Sequence, residues 1–324
     1  LYPCLLMAAS ASAQNTMTSS PYSMFGLGEM ASGLYGQNTS MAGVTVGMRE
    51  GMLMNIENPA GLTALDSCKL FAEASAFVKN ERYRSDGSSS NAFTGNFSAF
   101  SLGGRIMRRW YMSVGVTPYS FVGYYFKSSQ ELEGSPGTFV TSTFSGTGGL
   151  SKAFLSQGFS LTKHLSVGMN LNFIFGNMTL NEIQSAMTVS REMSGRSFYA
   201  DFGLQYHRPI ARETFLTVGA IYGYKQRISL KNTVTVTGSS TETPYNQKRV
   251  TQYLPQYIGI GSSLAHKKWT YALDYLFRQY GVLNSGDSRV EFRDSHELRL
   301  GVCYFPNGFS SSSYWKRKIG RAHV

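Results

Sequence analysis

The sequence predicts an all-β protein, a transmembrane antiparallel β-barrel, and three observations support that prediction. Charged residues make up only 15% of the 324 residues and aromatic residues make up 14%, whereas soluble domains carry about 25% charged residues. No apolar run approaches the ~18 residues of a membrane-spanning helix; apolar residues instead alternate with polar ones along many segments. The connections between these segments alternate between short and long, which is the loop pattern of outer-membrane barrels.

The two ends of the chain are expected to lie outside the barrel. Residues 1–13 read as the rear part of a secretory signal peptide, because an apolar stretch ends in a small-x-small pattern at Ala11 to Ala13. Residues 319–324 match the translation of a short-read sequencing adapter, so we interpret them as an artefact, with a genuine short basic tail as the alternative. The intact chain is then expected to continue beyond Lys318, so that this barrel is C-terminally truncated.

Residues 14–67 precede the first predicted strand and are expected to fold back into the barrel as a hatch or plug. This segment is too long and too apolar for a simple tail. Its Met-rich and Gly-rich part, from Met41 to Met54, can adapt to an irregular interior because methionine side chains are flexible. An irregular periplasmic extension is the alternative.

The barrel is expected to span residues 68–318 and to contain about ten strands. Between Leu165 and Phe175 every odd position is apolar, whereas the even positions begin with polar or small residues. Such a period of two is typical of a strand with two different faces, and residues 198–207 and 269–278 repeat it. The predicted strands are 68–80, 92–106, 110–126, 146–162, 165–180, 196–208, 213–236, 250–265, 268–283 and 294–305.

The connections between these strands set the orientation. Short connections fall at 107–109, 163–164, 209–212 and 266–267, and long polar ones at 81–91, 127–145, 181–195, 237–249 and 284–293. Outer-membrane barrels have short periplasmic turns and long extracellular loops. The sequence therefore predicts an integral protein of the Gram-negative outer membrane whose N-terminal segment enters from the periplasmic side.

The sequence offers no catalytic, metal-binding or cofactor-binding constellation. Its five histidines lack the spacing of a metal site, and it contains no nucleophile elbow, phosphate-binding loop or dinucleotide fingerprint. We therefore expect no enzymatic activity, no cofactor and no metal. The net charge of +11 does not indicate nucleic-acid binding, because the cations lie largely at turns and loop edges, as anchors of a lipid-spanning sheet do. Lumen charges such as Asp274 and Arg278 are expected to pair across the barrel interior.

Short motifs before the first strand carry a family resemblance. Gly36 to Gly43, Asn55 to Leu62 and Leu65-Asp66 resemble the hatch region of the FadL/TodX-type outer-membrane transport proteins. In this resemblance Asn58, Pro59 and Ala60 form the hatch motif. Three downstream segments look like the version of the family found in Bacteroidota, namely Gly148 to Leu150, Ser166 to Gly176 and Tyr314 to Arg317.

The resemblance implies a fold and a transport route. The family barrel has fourteen strands, so about four would be absent here. The family takes up long-chain fatty acids or aromatic hydrocarbons passively through an apolar lumen, and the ligand leaves sideways at a kink in the third strand. The third predicted strand here contains Pro118, which has no N–H for the ladder and forces a break or bulge. A lateral opening at Pro118 is the resulting hypothesis, and a harmless bulge is the alternative.

Two functions follow as expectations. The first is an outer-membrane channel for hydrophobic compounds, whose partners would be a hydrophobic small molecule and the surrounding outer-membrane lipids. The alternative is an accessory barrel of an outer-membrane secretion or assembly complex, similar to the shuttle barrel of type IX secretion, with other outer-membrane proteins as partners. A channel needs a continuous apolar pocket that reaches the wall, whereas an accessory barrel would have a filled lumen.

Overall fold

The structure is a computed structural model, and it describes part of the chain. The described residues are 20–31, 33, 37–51, 54–65, 70–85, 88–131, 134, 137–185, 187–238, 242–283 and 290–304. The predicted signal peptide, the adapter-like end and the motif from Tyr314 to Arg317 lie outside these residues.

In the described part of the chain, thirteen strands form one antiparallel sheet that curls into a half-barrel. The strands are β1 Glu29–Met30, β2 Leu70–Ser85, β3 Ser88–Met107, β4 Trp110–Glu131, β5 Phe139–Ser160, β6 Leu165–Gln184, β7 Met187–Ala211, β8 Thr214–Gly223, β9 Gln226–Thr237, β10 Glu242–Leu254, β11 Tyr257–His266, β12 Trp269–Arg278 and β13 Ser295–Tyr304. Short helical turns occupy Pro21–Met24, Gln37–Ser40, Pro59–Ala64 and Tyr280–Val282. Within the described residues, the helices are all too short and too polar to cross a membrane.

The predicted number of ten strands is confirmed, although the predicted strand 268–283 ends at Arg278 and a helical turn follows at Tyr280–Val282. The sheet order is β13-β12-β11-β8-β7-β6-β5-β4-β3-β2. β9 continues β8 after a break at residues 224–225, and β10 leads into β11 after a break at residues 255–256. Beside this path, β9 pairs with β7 and β10, and β1 pairs with β4.

The two ends of the half-barrel differ, as predicted. The long connections were predicted as loops, but at 81–91, 127–145, 181–195 and 237–249 most of the described residues are strand. The described part of the fifth, 284–293, is not strand. Residues 108–109, 212–213 and 267–268 form tight turns at one end. At the other end most of the predicted loop at 181–195 is strand, since β6 and β7 stay paired up to Gln184 and Met187. Strands of 20 and 25 residues far exceed the ~9–11 needed to cross a bilayer. Above the bilayer both faces of a hairpin meet water, so its sequence lacks apolar alternation and looks like a loop.

The outer face of the sheet is apolar. Exposed and buried residues alternate along β12, and on β13 Leu298, Leu300 and Val302 are all more than half exposed. Aromatic rings lie at the short-turn end, where Trp110 stacks on Phe159 with 6.1 Å between ring centroids. An apolar band bordered by aromatic residues is the lipid-facing surface of an outer-membrane barrel.

Candidate functional site

Two stretches of the N-terminal region cover the inner face of the half-barrel. We call residues 20–31 the strap and residues 41–65 the inner segment. The inner segment packs on the short-turn half of the sheet, where its Pro59–Ala64 turn contacts β5, β6 and β7. The strap packs on the long-hairpin half, against β4.

Asn58, Pro59 and Ala60 lie at the centre of the inner segment and are buried. The Asn58 side chain caps the turn, because its Oδ1 accepts a hydrogen bond from the Ala60 N–H at 3.2 Å. Its Nδ2 donates to the carbonyl oxygens of Val46 at 2.7 Å and Leu204 at 3.2 Å. This one side chain therefore joins the turn, another part of the inner segment and strand β7.

Glycines of the sheet make room for the inner segment. A Cβ on Gly168 would lie 2.4 Å from the Ala60 nitrogen, and one on Gly219 would lie 2.0 Å from the Val46 oxygen. Real Cβ atoms do not come so close to backbone atoms, so both positions require glycine. The same close approach of backbone occurs at Gly158, Gly261 and Gly301, whereas Gly203 makes room for the side chains of Asn58 and Pro59. The backbone of the inner segment therefore lies directly on the backbone of five strands.

Inward-facing side chains of the barrel bind the backbone of the inner segment. Gln205 Nε2 donates to the Met48 carbonyl at 2.9 Å, and Asn170 Nδ2 donates to the Ile56 carbonyl at 2.7 Å. Asp274 accepts from three consecutive N–H groups, those of residues 45–47, at 2.6, 2.8 and 3.3 Å. Three converging N–H groups form a nest that binds an anion. Of the two lumen charges expected to pair across the interior, Asp274 therefore has backbone N–H groups as its partners, whereas Arg278 forms an ion pair with Glu57 of the inner segment.

Four charged side chains join the inner segment to β12 and β13. Arg299 donates from Nη1 to Glu57 at 2.9 Å and from Nε to Glu297 at 2.7 Å. Arg278 bridges the same two carboxylates at 3.1 and 3.0 Å. The side chains of Arg299 and Glu57 are only 4% and 13% exposed, so solvent screens this network little. Thr45 donates a further hydrogen bond to Glu57.

Pro118 lies where strand β4 separates from β3. The pairing of β3 with β4 ends at Phe100 and Val116, although both strands continue well beyond that point. The pairing of β4 with β5 shifts register between Pro118 and Ser120. A proline cannot donate to either neighbour, so a bulge at this position is the expected consequence.

The strap occupies the edge of β4 that β3 leaves open. Glu29 and Met30 pair with Phe121 and Ser120 of β4. A further hydrogen bond runs from the Ala31 N–H to the β4 backbone at residue 119, over 2.9 Å.

Two further contacts hold the strap, a serine that binds β4 and an ion pair with β2. The Ser23 hydroxyl accepts from the Gly123 N–H at 3.1 Å and contacts the carbonyl of the same residue at 3.3 Å. This side chain therefore binds the two backbone groups that a neighbouring strand would otherwise bind. On the other side of the gap, Glu29 lies 4.0 Å from the ammonium of Lys79 on β2. The strap therefore lies across the gap between β4 and the paired strands β2 and β3.

A small polar cavity lies between the strap and the inner segment. Its volume is about 100 Å³. Its lining residues are Met30, Ala31, Gly33, Ile56, Glu57, Pro118, Tyr119, Lys152, Tyr199, Asp201, Tyr224, Leu254, Pro255, Tyr257, Arg278 and Tyr280. Asp201 accepts hydrogen bonds from the amides of Asn170 and Asn172. The cavity lining thus includes charged side chains and tyrosines and is not a continuous apolar surface.

The remaining inner face, on the long-hairpin half, is closed by an apolar cluster. Leu27 of the strap packs with residues that include Val122, Leu150, Ile174 and Ile228, all at most 1% exposed. These side chains fill the space beneath the strap.

Of the predicted site residues, Pro118 lines the small polar cavity, whereas Asn58, Pro59 and Ala60 do not. Their neighbour Glu57 does line it. Sequence reasoning missed Lys152 and Asp201, which come from different strands. Alternation along residues 198–207 places Asp201 on the polar face, which was the available signal; nothing in the sequence indicated Lys152.

The fold is that of the FadL-like outer-membrane barrels, and it places the protein in the outer membrane. The toluene transporter TbuX of Ralstonia pickettii is 15% identical, with a TM-score of 0.52 over 84% of this chain and 82% of that one. The Pseudomonas putida toluene transporter TodX is 14% identical, with a TM-score of 0.52 over 88% and 82% of the two chains. A Pseudomonas aeruginosa FadL homologue is 12% identical, with a TM-score of 0.50 over 87% and 78%.

The family itself is shown by sequence. The BamG family model matches residues 1–324, so the chain belongs to the BamG family. The predicted resemblance to the FadL/TodX-type proteins is confirmed for the fold, whereas the family model that matches the sequence is BamG. No curated protein sequence matches this chain.

Proposed function

We propose that this protein is a non-enzymatic accessory barrel that binds other proteins of an outer-membrane assembly or secretion complex. The observation that carries the proposal is the covered inner face. The cavity of about 100 Å³ is well below the ~300–1,000 Å³ of typical ligand pockets. Its charged lining is unsuited to a greasy ligand, because charges are costly to desolvate without partners. Membership in the BamG family favours the same role.

The inner segment would serve as a permanent hatch in this role. It rests on six glycines of the sheet, and its Glu57 is bound by two arginines. To move it, the protein would have to break the ionic network and the Asp274 nest together. A barrel whose inner face is covered by a fixed segment is suited to presenting its outer surface and hairpins to partners.

Purification of the full-length protein from native outer membranes in mild detergent tests the accessory role. We expect native mass spectrometry to show a stoichiometric complex with another outer-membrane protein. Recovery of the protein alone, with a bound hydrophobic compound, would contradict the accessory role and support a channel.

A passive channel for hydrophobic compounds is the second candidate, and the separation of β3 from β4 at Pro118 favours it. Solved structures with this fold include toluene transporters, which supports the same candidate. Displacement of the strap would open the cavity sideways to the bilayer.

A Pro118→Val substitution in the full-length protein restores the missing N–H, and we expect it to reduce uptake of a labelled long-chain fatty acid if Pro118 shapes an exit. Unchanged uptake would contradict a lateral opening there.

A further inference from the structure

A groove crosses the outer face of strands β6, β7, β9 and β10, and we call it the outer groove. Its volume is about 720 Å³. Its lining residues are Phe173, Phe175, Gly176, Ser194, Gly195, Arg196, Ser229, Lys231 and Arg249. It is separate from the inner face and takes no part in either proposed function.

Two glycines and two phenylalanines shape the groove. Gly176 of β6 and Gly195 of β7 are direct partners in the sheet, and both line the groove between the outward-facing side chains. Phe173 and Phe175 stack at 5.7 Å between ring centroids, and both are about two-fifths exposed. The groove thus has an apolar wall on one side.

Three cations lie across from that apolar wall. Lys231 and Arg249 are direct partners across β9 and β10, and like charges in such positions repel. Arg196 of β7 lies beside them, because its sheet partner is Ser229, two residues from Lys231. None of the three forms an ion pair with any residue that the structure describes. No residue among those described relieves this repulsion, and an anionic ligand would relieve it.

The groove lies at the outer boundary of the apolar band. On β7 the outward-facing residues Tyr206, Leu204, Phe202 and Phe198 are each 42–58% exposed, and Arg196 is the next outward position. On β6 the apolar series that starts at Leu165 ends at Phe175. On both strands the apolar series ends about ten residues from the short turn, which is the length of a strand that crosses the bilayer. The cations therefore lie at the headgroup level of the leaflet opposite the short turns, which is the outer leaflet.

We propose that the outer groove binds a phosphate-bearing lipid of the outer leaflet. The phosphate would lie among Arg196, Lys231 and Arg249, because arginine and lysine pair strongly with phosphate oxygens. The lipid's acyl chain would lie along Phe173 and Phe175. A free phosphate ion would gain nothing from the aromatic wall, and an acidic protein would have to reach the boundary of the bilayer. The three cations and the aromatic wall together fit a ligand with an anionic headgroup and an apolar chain.

The test compares two lipids and two variants of the full-length protein in mild detergent, read by native mass spectrometry. The lipids share their acyl chains and differ only in the presence of the headgroup phosphates. One variant combines Arg196→Gln, Lys231→Gln and Arg249→Gln. The matched control combines Arg82→Gln, Arg84→Gln and Lys127→Gln, which removes three exposed cations at the same end outside the groove.

We expect the wild-type protein and the control to bind the phosphorylated lipid, and the groove variant to bind it about a hundredfold more weakly. Loss of the phosphates should weaken binding to the wild-type protein to a similar extent, a comparison that needs no variant. Equal binding by the groove variant and the control would overturn the proposal. Competition by inorganic phosphate as effective as that by the lipid would also overturn it, because it would assign the site to a free anion.

Discussion

The inner segment and the strap lie on the same sheet but are held by different kinds of contact. The inner segment rests directly on glycine backbone and is joined to the barrel by a buried ionic network. The strap is held by a two-residue strand, a few hydrogen bonds at the β4 edge and the packing of Leu27. Dense, buried contacts resist opening, whereas short segments with few contacts open first. The comparison indicates a fixed hatch and a displaceable strap.

Glycines at fixed positions explain why the inner segment packs so closely. The partners Gly158, Gly168 and Gly203 form a continuous row across β5, β6 and β7. This row removes the layer of side chains that would otherwise separate the segment from the sheet. The inner segment therefore gains close contacts that any added methyl group would disrupt. Such contacts hold the segment in place, which suits a fixed hatch better than a moving gate.

The largest predicted effect comes from Glu57→Gln. This change leaves Arg278 and Arg299 with one carboxylate, and removal of one partner from a buried ionic group costs about 3–5 kcal/mol. Urea unfolding of the full-length protein in lipid vesicles measures the loss. Glu131→Gln is the control, because Glu131 is exposed on a hairpin and should change the free energy of unfolding by less than about 1 kcal/mol. Equal losses in the two variants would show that the network does not hold the inner segment.

A smaller effect is expected from Gly168→Ala. The added methyl group would meet the backbone of residues 59 and 60 at 2.4 Å, and overpacking of this kind costs about 1–3 kcal/mol. Limited proteolysis of the inner segment, together with urea unfolding, measures the change. Gly95→Ala is the matched control in β3, since its methyl group would meet only ordinary contacts at 3.4 Å and beyond. Equal behaviour of the two variants would refute the role of the glycine row.

The barrel could be predicted from the sequence because lipid and lumen impose a strict alternation on every strand. Residues 165–175 show this directly, with apolar residues at the odd positions. The same reasoning failed for residues 181–195, because a hairpin above the bilayer has no apolar face to reveal it. Alternation reports the environment of a strand, so strands in water on both sides escape it.

The candidate site was harder to predict because it depends on contacts between distant residues. The motif at Asn58 could be recognised in the sequence, but the hydrogen bond from its side chain to the Leu204 carbonyl of β7 could not. Asp274 was correctly placed in the lumen, yet its partners are backbone N–H groups of residues 45–47. No pattern of side chains can indicate a nest of backbone donors on another part of the chain.

The smallest effect is expected in the strap, from Ser23→Ala. Ser23 is 1% exposed, and the substitution leaves the Gly123 N–H without its hydroxyl acceptor, at a cost of about 1 kcal/mol. We expect little change in global unfolding but faster hydrogen exchange at the amides of Gly123 and Ala31, because the strap opens locally. The control is Ser129→Ala, whose hydroxyl bonds to Thr141 on an exposed hairpin. If Ser23→Ala instead lowered global stability as much as Glu57→Gln does, the strap would be as fixed as the inner segment. The lateral route past Pro118 would then be closed.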